Sequence, residues 1–247
     1  MSGMSGSSYT SSNSQLSGYP QNTGRPASTV RPSAYLKSPH GLAKALVILF
    51  GALIAADLFS LWVGFHLRSA MADLRATPFS EELVDSVTDA ETLYGISGIL
   101  QSALWTALIV VFLVWFWRVR VNAEVFGPEY QSMKRGWTIA AWFVPIANLW
   151  LPRRVASDIW GASETTERSP SQALLTGWWL LFVLDVLLGR FATKEYARAE
   201  SYEEIRSAVS SLAVSDAVDI AACIAAILFV RRLTAMQQEK ALRGLEQ

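Results

Sequence analysis

The sequence predicts an all-α membrane protein: a bundle of four transmembrane helices with a short Pro-broken hairpin, re-entrant or interfacial, and a disordered N-terminal tail. Three observations predict this fold. The 247-residue chain is 51% hydrophobic and 17% charged, against about 25% charged residues in a soluble domain. Four apolar segments approach or exceed the roughly 20 residues with which a helix crosses a bilayer. Lysine and arginine are concentrated on one side of those segments.

Composition divides the chain into three parts. Residues 1–40 are rich in Ser, Gly, Pro, Asn and Thr and contain almost no apolar cluster. Such a segment buries too little apolar surface to offset the conformational entropy of ordering. We therefore predict a disordered cytoplasmic tail over residues 1–40, a helical transmembrane domain over 41–232, and a short cytoplasmic C-terminal tail over 233–247.

The predicted spans cover residues 42–65, 93–117, 173–191 and 209–230. Two helix-start patterns precede the second span: Ser80 with the acids that follow it, and Thr88 with Glu91 at capping-box spacing. A fifth apolar stretch, 137–151, reaches only about 22 Å as a helix, and Pro145 interrupts it. This stretch is predicted to be the hairpin.

The distribution of positive charge favours four spans over five. Four spans place 15 Lys and Arg residues inside and 6 outside, whereas a crossing fifth stretch gives 12 inside and 9 outside. Lysine and arginine are retained on the cytoplasmic side of a membrane. We therefore predict a multi-pass plasma-membrane protein with both termini in the cytoplasm.

Aspartates inside otherwise apolar spans are the main candidate site, because a carboxylate in hydrocarbon is costly. They are Asp57, Asp185, Asp216 and Asp219. Counted from the inner ends of their spans, Asp57, Asp185 and Asp219 lie at one depth of about 18–20 Å, and Asp216 lies one turn further out. The second span adds the neutral polar residues Gln101 and Thr106 near this level.

Two interpretations of the aspartates remain open. Carboxylates close together in a low dielectric cannot all ionise, so converging side chains would form a shared proton or cation site. Alternatively, each aspartate bonds a Ser, Thr, Trp or backbone group and ties helices together, or one of them pairs with Arg190 or His66 near the outer boundary.

Small residues recur every four positions in two spans. Ala213, Ala217, Ala221 and Ala225 form such a row in the fourth span, and Gly51 and Ala55 do so in the first. Small residues at this spacing let helices approach closely. The rows form contacts either within the bundle or with a partner subunit. A homo-oligomer is therefore one of the two alternatives.

The most distinctive string lies in the fifth apolar stretch and reads W-F-x-P-x-x-N-x-W-x-P. Its motif residues are Trp142, Pro145, Asn148, Trp150 and Pro152. This pattern resembles the actinobacterial membrane family called domain of unknown function 4328. The resemblance covers roughly residues 42–232, is specific over 120–163, and implies a membrane protein of this kind without a particular activity.

Two interpretations of this motif are open. Pro145 frees a backbone carbonyl one turn earlier, and the Asn148 amide is close enough in sequence to bond it. The motif is then either a broken helix that lines a cavity, as in transporters, or a rigid elbow with its tryptophans at the membrane interface.

The sequence contains no pattern typical of an enzyme or of a cofactor site. Cys223 is the only cysteine, His40 and His66 are the only histidines, and acids and bases balance at 21 each. We therefore expect no catalysis, no cofactor and no nucleic-acid partner. The favoured function is a structural or regulatory component that acts through membrane or cytoplasmic protein partners and the lipid bilayer. The alternative is a small ion- or proton-coupled transporter or channel that uses the aspartates.

Overall fold

The computed structural model of the chain describes residues 36–77, 80–165 and 171–244, and these residues form helices and no strand. The predicted tail, up to residue 35, lies outside the described residues. The helices belong to one unit, Pro32–Gln247. They are α1 (His40–Ala76), α2 (Glu81–Phe126), α3 (Trp137–Ala140), α4 (Leu151–Ser163), α5 (Ala173–Tyr196) and α6 (Tyr202–Arg243).

Four of these helices, α1, α2, α5 and α6, are long and apolar enough to cross a membrane. This finding confirms the predicted all-α fold with four spans. Large apolar side chains also cover the outside of the bundle; Ile99 is 72% exposed and Phe65 is 71% exposed. Apolar surface of this extent is suited to hydrocarbon rather than to water. The chain is a multi-pass membrane protein.

Helices α2 and α6 begin before the predicted apolar spans, and a serine caps the first turn of each. The Ser80 hydroxyl accepts a hydrogen bond from the backbone N–H of Leu83 at the start of α2, and Ser201 forms a capping box with Glu204 at the start of α6. The predicted second start at Thr88 is wrong, because α2 is continuous there and the Thr88 hydroxyl donates to a carbonyl of its own helix.

The four long helices form a bundle that is open on one side. Helix α1 packs along both α2 and α6, and α6 packs along α5, whereas α2 and α5 make little direct contact. Around the bundle the order is therefore α2, α1, α6, α5. The gap between α2 and α5 is the feature that creates the candidate site.

The stretch 137–151 turns back on itself instead of continuing across the bundle. It contains α3, a series of turns, and a 3₁₀ turn over Ala147–Leu149 that leads into α4. Ser132, before the stretch, donates from its backbone N–H and its hydroxyl to Asp158 of α4 at 3.0 and 2.6 Å. The segments that flank the stretch on either side therefore meet. We call the end of the bundle that contains α4 the hairpin end and the opposite end the loop end.

Apolar and polar side chains alternate in layers along the bundle. A large apolar cluster that includes Leu53 and Trp115 fills the hairpin end. A smaller cluster, with Val63 and Tyr94, fills the loop end. Between them, α1, α2 and α6 contribute the buried polar residues Asp57, Ser60, Ser97, Ser215 and Asp219.

Only part of the predicted rows of small residues faces the bundle. Gly51, Ala55 and Ala217 are exposed. The buried alanines at this level of α6 are instead Ala222 and Ala226, because the helix face that carries Asp219 turns inward.

Residues 233–243 are not a tail. Helix α6 continues through them and buries Leu233, Met236 and Gln237. The Gln237 amide donates to the carbonyl of Val119 in α2 at 2.8 Å and to the Ser163 hydroxyl of α4 at 3.2 Å. Its carbonyl accepts from Asn122 at 3.1 Å. This one side chain therefore joins three helices at the hairpin end.

Replacing Gln237 with alanine should lower the thermal unfolding temperature of the purified protein. The substitution leaves buried polar partners unsatisfied, which costs about 2 kcal/mol. Gln238 is the matched control, because it is the neighbouring glutamine on the same helix and is exposed. Gln238→Ala should leave the unfolding temperature almost unchanged; equal losses in the two variants would contradict the role given to Gln237.

Candidate functional site

A cavity of about 1020 Å³ occupies the gap between α2 and α5. Helix α6 forms its back wall, and the hairpin forms its floor through Trp142 and Asn148. Its walls are mostly apolar and aromatic, but Asp185, Asp216 and Asp219 line it as well. The cavity therefore combines an apolar volume of ligand size with acidic groups.

Trp142 holds α2 and α5 apart at the floor of the cavity. Its ring lies 5.4 Å from Phe112 and 6.0 Å from Phe116 on α2. On the other side it lies 5.8 Å from Trp179 and 5.9 Å from Phe182 on α5. All four contacts are edge-to-face, an arrangement that favours aromatic pairs beyond the burial of area alone.

The backbone of the motif makes a tight turn directly after Pro145. Ile146 has a φ of 63° and a ψ of −51°, and the N–H of Ala147 donates to the Pro145 carbonyl at 2.7 Å. These angles and this bond define a γ-turn with positive φ, a strained conformation for a β-branched residue. The turn reverses the chain and directs it toward α4.

A tryptophan of α5, and not Asn148, makes the side-chain hydrogen bond to the backbone of the hairpin. The indole N–H of Trp179 donates to the carbonyl of Leu149 at 3.1 Å, which fixes the hairpin to α5. The Asn148 side chain forms no backbone hydrogen bond within the described residues and lines the cavity instead. Trp150 is 53% exposed, and Pro152 is buried in the first turn of α4.

Gln101 connects two of the aspartates across three helices. Its side-chain N–H₂ donates to Asp57 of α1 at 2.8 Å and to Asp216 of α6 at 3.2 Å. Ser60 also lies within hydrogen-bonding reach of Asp216. The amide therefore brings these two carboxyl groups within hydrogen-bonding distance of the same nitrogen atom.

Asp219 is held by two groups that the sequence analysis did not single out. The Trp105 indole donates to Asp219 Oδ2 at 3.2 Å, and the Cys223 thiol donates to Asp219 Oδ1 at 3.4 Å. A signal for both was present, because Trp105 follows Gln101 and Cys223 follows Asp219 by four residues, the spacing of neighbours on one helix face.

Cations do not compensate the aspartates. Asp57 is fully buried and its Oδ2 has no hydrogen-bond partner, while Asp185 and Asp219 are buried beside it. None of the ion pairs in the described part of the chain includes any of the four carboxyl groups. Arg190 lines the cavity without pairing with them, and His66 bonds the carbonyl of Trp62 in its own helix at 2.9 Å.

Thr106 does not belong to the cluster. Its side chain is exposed, and its hydroxyl donates to the carbonyl of Ser102 within α2 at 2.8 Å. It lies five residues after Gln101, which turns it to a different face of the helix. Across 36–77, 80–165 and 171–244, moreover, no group of three or more His, Cys, Asp or Glu side chains is placed to hold a metal ion.

Comparison with known proteins identifies the family of the chain. The sequence profile described as "Domain of unknown function (DUF4328)" matches residues 80–235. The chain belongs to the DUF4328 family. No curated protein and no solved structure matches it.

The DUF4328 match places most of the site inside the family region. It begins at residue 80 and ends at 235, so it includes α2, the hairpin, α4, α5 and most of α6. Gln101, Asp185, Asp216 and Asp219 fall within it, whereas α1 with Asp57 lies before it. The resemblance read from the sequence therefore extended further toward the N terminus than the match does.

Replacing Ile146 with glycine should raise the unfolding temperature of this DUF4328 protein. Glycine adopts positive φ without the steric cost that isoleucine pays, about 1 kcal/mol or more. Little packing is lost, since Ile146 is 73% exposed.

Phe143→Gly is the control for this substitution. Phe143 lies on the same hairpin and is 69% exposed, but its φ is not positive. This variant should be destabilised by the backbone entropy of glycine. A destabilised Ile146→Gly protein would show that the turn is not strained.

Proposed function

We propose that this protein binds hydrophobic organic cations in the cavity between α2 and α5 and exchanges them for protons, as a small ion-coupled transporter. The observation that carries the proposal is the group of buried carboxyls without a cationic partner. Four carboxyl groups in a low dielectric cannot all be charged unless protons or a bound cation compensate them.

The size and shape of the cavity support an organic ligand rather than a bare metal ion. Its volume of about 1020 Å³ is at the upper end of the range for small-molecule pockets, about 300–1,000 Å³. The carboxyl groups, in contrast, are not arranged as metal ligands within the described residues. A ligand with a large apolar body and one positive charge matches both features.

The aromatic side chains that line the cavity also favour a cationic ligand. Trp105, Phe112, Trp178 and Phe182 line the cavity, and the faces of aromatic rings attract organic cations. Trp105 also donates to Asp219, so an aromatic ring and a carboxyl group are adjacent at the back wall. A cation bound there would contact both.

The cavity is accessible from the hydrocarbon side of the bundle. Ile99 and Ile109 line it and are 72% and 48% exposed. An amphiphilic ligand would therefore enter sideways, between α2 and α5, from the lipid phase. This access route supports transport or extraction of membrane-dissolved molecules more than it supports a purely structural role.

We also propose that the hairpin end faces the cytoplasm and that the membrane is the plasma membrane. Of the 18 Lys and Arg residues in the described segments, 12 lie at the hairpin end or beside it. Positive charge of this distribution is typical of the cytoplasmic side. The sequence alone favoured a structural or regulatory component that acts through partners, and the cavity supports the alternative.

Binding of tetraphenylphosphonium to the protein in nanodiscs tests the proposal. We expect saturable binding by calorimetry that tightens from pH 6 to pH 8, because fewer protons then compete for the carboxyl groups. Asp219→Asn and Asp185→Asn should each weaken it about tenfold, or ~1.4 kcal/mol. Both substitutions nearly preserve side-chain shape while removing the charge.

Asp89→Asn is the matched control, because Asp89 is an exposed aspartate of α2 at the loop end. It should bind like the wild type. Neutral triphenylphosphine oxide distinguishes recognition of the positive charge from burial of the apolar rings. Its binding should not depend on pH. Equal affinity of the wild type and of the Asp185 and Asp219 variants for the cation would refute the proposal.

A further inference from the structure

A second cavity, of about 670 Å³, lies at the hairpin end between the last turns of α2 and the segment that precedes α3. It is separate from the acidic cavity and has the opposite charge. Lys37, Arg120, Lys134 and Arg135 line it, together with a single carboxylate, Glu124.

Arg120 is the central group of this cavity and is incompletely bonded. Its side chain is 1% exposed. Its Nε donates to Glu124 at 3.2 Å, and one terminal nitrogen, Nη2, donates to the carbonyl of Met133 at 2.6 Å. The other, Nη1, is buried and has no hydrogen-bond partner. Leaving a buried charged donor unpaired is costly, and an acceptor that enters the cavity would remove this cost.

Gln131 adds a second unsatisfied group. It lines the same cavity, and both its side-chain nitrogen and its side-chain oxygen are buried without hydrogen-bond partners. Its amide can donate to an acceptor beside Arg120. Two residues from different segments therefore present unused donors to one volume.

Glu124 does not neutralise the cavity. Its two oxygens are divided between two guanidinium groups, since Arg135 also donates to Glu124, from Nε at 2.9 Å and from Nη2. The hydrogen bond to Glu124 raises the pKa of Arg135, so this group stays charged. One carboxylate faces four cations, and the cavity retains an excess of positive charge.

The predicted apolar span of α2 ends at residue 117, and Arg120 follows three residues later. From this spacing we infer that the cavity lies at the level of the lipid headgroups. Lys37 and Lys134 are exposed, so one side of the cavity is open to solvent while Arg120 closes the other. Planar guanidinium groups with free N–H donors recognise phosphate oxygens.

We propose that this cavity binds a phosphate group, with Arg120 as the buried anchor, Gln131 as a neutral donor, and Lys37, Lys134 and Arg135 as the surrounding cations. The same chemistry is offered by the phosphodiester of an anionic lipid and by free phosphate in solution. This site is independent of the cation binding proposed above and shares no residue with it.

Thermal unfolding of the full chain in dodecyl maltoside tests the site in two arms. The first adds inorganic phosphate against sodium chloride of equal ionic strength. The second adds dihexanoyl phosphatidylglycerol against dihexanoyl phosphatidylcholine. We expect a saturable rise of the unfolding temperature in at least one arm. A rise with phosphatidylglycerol alone identifies a lipid headgroup, and a rise with phosphate alone identifies a soluble ligand; either result supports the proposal.

Two variants locate the effect. Arg120→Lys keeps the buried charge but removes the free Nη1 donor, and Lys37→Gln with Lys134→Gln removes two exposed cations without disturbing the packed core. Each should raise the half-saturating concentration about tenfold. If Arg120→Lys does not fold, the variant with Lys37→Gln and Lys134→Gln still tests the proposal.

Arg231→Gln with Arg232→Gln is the matched control, because both arginines are exposed at the same end of the bundle and lie outside the cavity. This control should respond like the wild type. No stabilisation of the wild type in either arm, or an equal loss in the control and in the Lys37 and Lys134 variant, would overturn the proposal.

Discussion

The contact that the candidate site depends on is the insertion of Trp142 between α2 and α5. A four-helix bundle normally buries its apolar surface by packing neighbouring helices at 8–10 Å, and here one pair of neighbours is separated. Trp142 fills the separation only at the hairpin end, where its ring contacts Phe112 and Trp179. Above it the gap remains open as the cavity. The Pro145 turn and the bond from Trp179 to the Leu149 carbonyl hold the inserted ring in place.

The polar layer lies between two apolar layers, which raise the cost of ionising its carboxyl groups. The cluster with Leu53 and Trp115 excludes water from the hairpin end, and the cluster with Val63 and Tyr94 does so at the loop end. Carboxyl groups placed between such layers cannot relax toward solvent along the bundle axis. Their remaining open direction is the gap between α2 and α5, which is also where a ligand would enter. Hence the helix separation and the acidic layer define one site.

The depth of the aspartates along their helices could be predicted from the sequence, but the helix face on which each polar side chain lies could be predicted only in part. The helical rise placed Asp57, Asp185 and Asp219 at one level, and hydrogen bonds through Gln101 and Trp105 connect three of the four helices there. Thr106 was included by depth alone and lies on another face. A stricter use of the 100° step per residue would have favoured Trp105, four residues after Gln101, over Thr106, five residues after it.

The end of α6 shows a second limit of predicting structure from composition. The hydrophobic run ends near residue 230, and charged residues follow, so hydropathy assigned 233–247 to a tail. Helix α6 nevertheless continues, because Leu233, Met236 and Gln237 recur at helical spacing and remain buried. Two features could not be predicted by any such pattern: the separation of α2 from α5 and the positive φ of Ile146. Both depend on how distant segments pack, which one span's sequence does not contain.

Both cavities reflect one physical constraint, the need to compensate a buried charge, at two different depths in the membrane. In hydrocarbon, a protein must compensate every buried charge internally or through a ligand, and at the headgroup level it has access to phosphate and water. In the acidic cavity no cation of the described residues pairs with the aspartates, although Arg190 lines the wall, and in the basic cavity one carboxylate, Glu124, faces four cations. Phe116 and Trp142 lie in the apolar cluster between these levels and prevent the charges from neutralising each other across the bundle. Under the two proposals, the acidic cavity takes protons or a cationic ligand and the basic cavity takes a phosphate group, so that each cavity obtains its compensating charge from outside the chain.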